Sequence, residues 1–338
     1  MKAFVVALIL FMLLNPAYDV KVKPVSTDPY YKWWLDLYED IAVWHEIKEY
    51  ERGEVKKSDI VIHNLTTGRE QVIDKGRPML TPAIWGDHVL YTEVVDSNYY
   101  NLWLYSIKTK KEKLIKSFDH HITTDIYNEE FIYNNLDLGG HNIYLYNLTT
   151  GDERLIISDK SADCLYYCIY EDKIVYIKGK LMINGQAKNP KIVLYDLATE
   201  KEEVIAEPIS IGRAEISMHN NIIVWTEESE DHKYSVMYYN ITTGEKKRLP
   251  IDWQLFAETS VYNDTIVFTG AVNETTGGIA GYDLLTDTYF SISTANGLMM
   301  SPHLYKNRVV WIDWRNSPRP AQLLLIQPNE IWSAEIKR

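Results

Sequence analysis

The chain has 338 residues, with 35 Lys and Arg against 47 Asp and Glu, for a formal net charge of −12. That acidic balance is a poor match to a polyphosphate backbone and argues against nucleic-acid partners. Hydrophobic residues at 46 % and charged residues at 24 % exclude a disordered chain, and 25 Tyr with 10 Trp favour pleated, half-buried surfaces and hence an all-β protein.

The N-terminus reads as a targeting segment. Met1 and Lys2 carry positive charge, Ala3 to Leu14 is an unbroken apolar run, and Asn15-Pro16-Ala17 interrupts it. Such a run is short of the roughly 20 residues that span a bilayer. It fits the apolar region of an export signal over 1–17, cut after Ala17. The expected location is extracellular or at the cell surface, with membrane contact only through an uncleaved N-terminal segment. Residues 18–32 read as a leader that either adds an extra strand or lies across the ring, and 33–338 as a single domain.

From residue 41 onward one pattern recurs. IAVWHE (41–46), VLYTE (89–93), FIYNN (131–135), IVYIK (174–178), IVWTE (223–227), IVFTG (266–270) and VVWIDW (309–314) each place an aromatic after an apolar run. These aromatics, Trp44, Tyr91, Tyr133, Tyr176, Trp225, Phe268 and Trp311, are 42 to 49 residues apart. Six residues before each stands Tyr38, Trp85, Tyr127, Tyr170, His219, Tyr262 or Tyr305, followed by a pair of turn-type residues. After each comes a segment such as IHNLTTG (62–68), LYNLTTG (145–151) or YYNITTG (238–244), then a short charged run. Asn or Asp can hold a turn through its side chain, and Gly can take positive φ to start a return strand. Every unit is therefore four short antiparallel strands, A to D.

Four strands per repeat of about 45 residues is the pattern of a β-propeller blade. Seven units predict a seven-bladed β-propeller with no helix. Blade 7 is expected to supply all four of its own strands, ending at Glu330–Ile336, with no need for the N-terminal segment to close the ring.

These motifs resemble the TolB-like propeller repeats of archaeal and bacterial surface proteins. The likeness is strongest in TPAIWGDHVLYTE (81–93), LYNLTTGDERLI (145–156) and VVWIDWRNSP (309–318). Blades 2, 4 and 6 depart from it by lacking the turn glycine. The resemblance implies the fold and an exported location, and only loosely an envelope binding or scaffolding role, because propellers host many functions.

Candidate chemistry sits at the position eight residues before each aromatic, the most polar place on an otherwise apolar inner strand. It holds Asp36, Ala83, Asp125, Cys168, Ser217, Ser260 and His303. If these side chains gather in the central channel, Asp36, Asp125 and His303 form a site for a cation or a polar ligand. Trp314 with Arg315 and Arg319 forms an anchor patch for a partner, and Tyr99, Tyr100 and Trp103 lie near variable loops. His120 and His121 are adjacent, so their rings diverge and cannot share one metal. Cys164 and Cys168 would stand roughly 13 Å apart in an extended strand, so a disulfide needs a turn between them. Five sequons, at Asn64, Asn147, Asn240, Asn263 and Asn273, are glycan acceptors in an exported protein, with Asn273 the best placed. No G-x-S-x-G elbow and no Gly-rich phosphate loop occurs. The expected function is an exported, non-catalytic binding or scaffolding module at the cell envelope, partnered by an envelope protein or a surface glycan. The alternatives are a carbohydrate-binding or carbohydrate-cleaving propeller using the channel mouth, and a subunit of a surface layer or filament.

Overall fold

The computed structural model describes residues 18–337, apart from 97–98, 136–141, 160–162, 182–186, 212–215, 230–232, 254–257, 274–275 and 318–326. Among the described residues there is no helix, and the strands form seven four-stranded antiparallel sheets. The inner strands touch one another in cyclic order, so the sheets make a seven-bladed β-propeller.

Each blade is held together by local chemistry. The Asn64 side chain accepts hydrogen bonds from the amides of Thr66 (3.1 Å) and Thr67 (2.7 Å), and Gly68 follows at φ 67°. Asn147 and Asn240 do the same in blades 3 and 5. In blades 2, 4 and 6 the glycine position is held by Lys110, Glu200 and Asp287, at φ 54–56°. Three of the five sequon side chains are thus spent on turns. Asn263 takes φ 51° at another turn, and the side chain of Asn273 lies outside the described residues.

The recurring aromatics fill the space between blades. Trp44, Tyr91, Tyr133, Tyr176, Trp225, Phe268 and Trp311 are all buried. Burying an indole N–H or phenol O–H requires a partner. The tryptophans find one two residues along the same strand: Trp44 donates to Glu46, Trp225 to Glu227 and Trp311 to Asp313. The longer tyrosines reach the outer strand: Tyr91 donates to Glu112, Tyr133 to Glu153 and Tyr176 to Glu202. Phe268 has no polar group to satisfy.

Blade 7 corrects two expectations. Its strand order places Met299–Tyr305 innermost, then Arg308–Asp313, then Glu330–Lys337, then Asp19–Ser26. The C-terminal strand is third, not fourth. The outer strand comes from the N-terminal segment, with Asp19 opposite Lys337 and Ser26 opposite Ile331. Residues 19–26 are therefore part of the ring and not a separate leader. Their alternating lysines gave no apolar repeat signal, but an outermost strand needs only one protected face.

Candidate functional site

A closed circle of aromatic rings lies where the inner strands end. Tyr38 contacts Trp85 (ring centroids 4.7 Å apart), Trp85 contacts Tyr127 (4.4 Å), and Tyr127 contacts Tyr170 (4.7 Å). Tyr170 contacts His219 (4.6 Å), His219 contacts Tyr262 (4.0 Å), and Tyr262 contacts Tyr305 (4.9 Å). Tyr305 then meets Tyr38 at 4.8 Å and closes the circle. Neighbouring planes are inclined by 36–57°, and every member is half-buried. Hydroxyls pair across blade borders, Tyr305 with Tyr38 and Tyr170 with Tyr127, and burial pushes both Tyr305 and Tyr170 up, so they stay neutral. His219 Nδ1 accepts the Asn263 amide (3.0 Å), and burial pushes this imidazole down to about 4. The crown is thus uncharged around neutral pH. The sequence shows its seven members in register, yet nothing local indicates that they touch.

Two residues deeper lies the polar position. Its side chains reach forward to the next blade. Asp36 Oδ2 accepts the Ile84 amide (2.8 Å), Asp125 Oδ2 that of Ile169 (2.7 Å), Ser217 Oγ that of Val261 (3.3 Å) and Ser260 Oγ that of Leu304 (3.1 Å). Cys168 accepts the Met218 amide in the same way. This position is a clasp that fixes one blade against the next. Blade 2 has Ala83 there, and the Ile126 amide turns to its own Asp125 instead (3.0 Å).

Asp36, Asp125 and His303 therefore do not close into a three-ligand cage. His303 Nδ1 lies 3.3 Å from Asp36 Oδ1, while Asp125 neighbours Cys168. Burial raises the Asp125 carboxyl to about 7, and the nearby Asp36 charge adds to the rise. Among the described residues no group of three His, Cys, Asp or Glu is placed to hold a metal ion. Cys164 and Cys168 do not form a disulfide with each other.

The other sequence candidates are mostly structural. Trp314 is buried in the core between blades 7 and 1, edge-on to Trp33. Arg315 forks onto Asp313 Oδ2 (2.7 and 3.0 Å) and lies over the Trp332 ring. Neither is presented as a surface anchor, and Arg319 lies outside the described residues. Trp103 donates to Glu93 under the Lys75 ammonium. His120 pairs with Asp119, while His121 stacks on Trp34. Trp34 also covers His45, a buried imidazole that burial pushes down to about 3.

Comparison with known proteins adds the fold's relatives. No family model matches the chain, and no curated protein does. Solved structures match over nearly its whole length. The β-propeller domain of the Trilobed protease from Pyrococcus furiosus, described as having an open velcro topology, aligns with TM-score 0.66 at 13 % identity, covering 93 % of this chain and 96 % of that one. The acylaminoacyl peptidase of Pyrococcus horikoshii aligns with TM-score 0.64 at 14 % identity; 90 % of this chain covers 51 % of the peptidase, about half its length. An oligogalacturonate lyase in complex with manganese aligns with TM-score 0.62 at 9 % identity, covering 95 % and 96 %. Likeness at this identity shows a shared fold. It overturns the expectation of a non-catalytic module, because the solved propellers this chain resembles include parts of peptidases and a lyase.

Proposed function

We propose that this chain is an enzyme-associated propeller, which holds peptide substrates at its crowned channel mouth for a peptide-cleaving activity. The observation that carries the reading is the closed aromatic circle. A structural staple needs pairwise contacts, but a half-buried ring that surrounds the channel axis also offers a concave aromatic receptor in which the polar atoms of five tyrosines, one tryptophan and one histidine can orient a ligand. The propeller domain of the Trilobed protease and the acylaminoacyl peptidase, which align over 93 % and 90 % of this chain, support the link to peptidases. Residues 1–338 contain no G-x-S-x-G elbow, so on this reading a serine nucleophile of that type would come from outside these residues. The TolB-like repeat motifs and the apolar run from Ala3 to Leu14 support an exported, TolB-type propeller, which cell fractionation with N-terminal sequencing tests.

The function is tested by incubating the immobilised protein with a mixed pool of short peptides and identifying those retained. A double variant, Trp85→Leu with Tyr262→Leu, serves as control. Selective retention by the native chain and not by the variant supports the reading. A pool that passes through unchanged rejects it.

A further inference from the structure

We infer that a lysine-lined groove in blade 4 docks an acidic peptide segment in extended form. The groove lies at the end of the second and third strands, Lys173–Leu181 and Ala187–Asp196, away from the crown. Its role does not depend on what the crown holds. The first reason is a reversal of charge. Two residues past each buried aromatic, the second strand pairs with the third. That row reads Glu46 with Asp59, Glu93 with Asn101, Asn135 with Asn142, Glu227 with Ser235, Gly270 with Gly278 and Asp313 with Glu330. Those blades carry acidic or neutral residues there. Blade 4 alone places two cations, Lys178 opposite Lys191, in a chain of net charge −12. Like charges directly opposite destabilise a sheet, and the core does not require them: Tyr176 sends its hydroxyl to Glu202, not to this row.

The second reason is the backbone. Lys180 lies opposite Lys188, one residue out of step with the pairing of Lys178 and Lys191. The extra residue sits in the third strand, where Asn189 takes φ 52°. A one-residue slip moves a side chain to the other face of a sheet. In unbroken register Asn189 would oppose Lys180, and Lys188 would point away. The bulge brings four ammonium groups to one face.

The third reason is what stays unpaired. Lys178 Nζ lies 2.9 Å from Asp159 and 3.4 Å from Glu202, and Lys191 Nζ lies 2.7 Å from Glu207. Among the described residues Lys180 and Lys188 meet no carboxylate, and both are exposed. The groove encloses about 410 Å³, the size of a site for an extended organic ligand and more than a lone oxyanion fills. Opposite lysines stand about 5 Å apart, and alternate ones about 7 Å. An extended peptide repeats its side chains every about 7 Å on one face. Its first acid then meets Lys180 and Lys188, and the acid two residues along reaches Lys178 and Lys191, which it shares with Asp159 and Glu207.

The test adds the purified full chain to a fluorescein-labelled peptide, Asp-Thr-Asp-Thr-Asp, and follows its anisotropy at about 0.15 M salt, where surface charges act only within about 8 Å. The comparison ligands are the same peptide with Asn for every Asp, and inorganic pyrophosphate as a competitor. One exposed ion pair is worth about 1.5- to 5-fold in affinity, so several together should favour the acidic peptide over its Asn counterpart by at least about tenfold. Lys180→Glu with Lys188→Glu should weaken binding by at least about tenfold, and Lys180→Arg with Lys188→Arg, which keeps the charge, should not. Circular dichroism checks that each variant folds, and Lys180→Gln with Lys188→Gln replaces the glutamate pair if it does not. No binding of the acidic peptide, equal binding of the Asn peptide, or an unchanged affinity in the glutamate variant overturns the inference. Pyrophosphate that displaces the peptide at concentrations equal to or below its own overturns the peptide assignment and marks a phosphate site.

Discussion

Lys32 and Asn329 hold each other across the ring closure. The Lys32 amide donates to Asn329 Oδ1 (2.7 Å), Asn329 Nδ2 donates back to the Lys32 carbonyl (2.9 Å), and Lys32 Nζ donates to the Asn329 carbonyl (3.0 Å). Both residues are buried, and the ammonium also satisfies the carbonyls of Asp28 and Tyr30. Lys32→Met keeps the volume but leaves the buried Asn329 carbonyl and the part-buried carbonyls of Asp28 and Tyr30 without this donor, and Glu46 without its buried counter-charge at 3.8 Å. Denaturant unfolding should show a loss of about 3 kcal/mol or more. A loss below about 1 kcal/mol would mean that solvent replaces the ammonium freely.

The same closure predicts the behaviour of truncations. Val20 lies opposite Ile336 and Lys21 opposite Glu335, so removing residues 18–28 exposes the C-terminal strand as an unpaired edge. It also removes Tyr18, which stacks on Phe290 at 4.1 Å. This deletion should lower the melting temperature and promote aggregation about as severely as deletion of 329–338. A mild effect of the N-terminal deletion would contradict the strand pairing.

Asp125 gives stability a pH dependence of known sign. Its carboxyl titrates near 7 in the folded chain and near 3.8 when unfolded, mainly because of burial. Between these values the folded chain holds a proton that the unfolded chain has lost. This group therefore favours folding progressively as pH falls from about 7 to 4, and its full cost is present above pH 7. His45 and His219, held down to about 3 and 4, act in the opposite sense: their stability is present above about 6.5 and lost as pH falls. Asp125→Asn removes only the first effect. The melting temperature of the variant relative to the native chain should rise when pH goes from about 5 to 8.5. A difference that stays constant would rule out the raised carboxyl.

Turn residues forced to positive φ offer a stabilising change. Lys110, Glu200 and Asp287 occupy the position that glycine holds in blades 1, 3 and 5. A side chain in that region costs about 1–2 kcal/mol, part of which glycine returns through its freedom in the unfolded chain. Glu200→Gly should gain up to about 1 kcal/mol, measured by thermal unfolding. The same change at Asp287 should gain less, because that carboxylate is bonded to the Tyr282 hydroxyl.

What the amino-acid order determined was everything local to a blade. Asn64 and the amides it holds are two and three residues apart, and Trp44 and its partner Glu46 two apart, so strand, turn and buried aromatic are legible in one repeat. Seven repetitions then announced the propeller. What joins blades was decided only in three dimensions. Asp36 reads as a ligand because it is polar on an apolar strand, yet the ring brings the Ile84 amide to its carboxylate and makes it a clasp. Trp314 reads as an exposed anchor, yet it is enclosed because blade 1 returns beside blade 7. The N-terminal strand carries no repeat signal, since the register that recruits it to Glu330–Lys337 exists only after the ring has curved through a full turn. The crown likewise needs the ring: its members are more than 40 residues apart in sequence, and only sevenfold closure brings Tyr305 back to Tyr38.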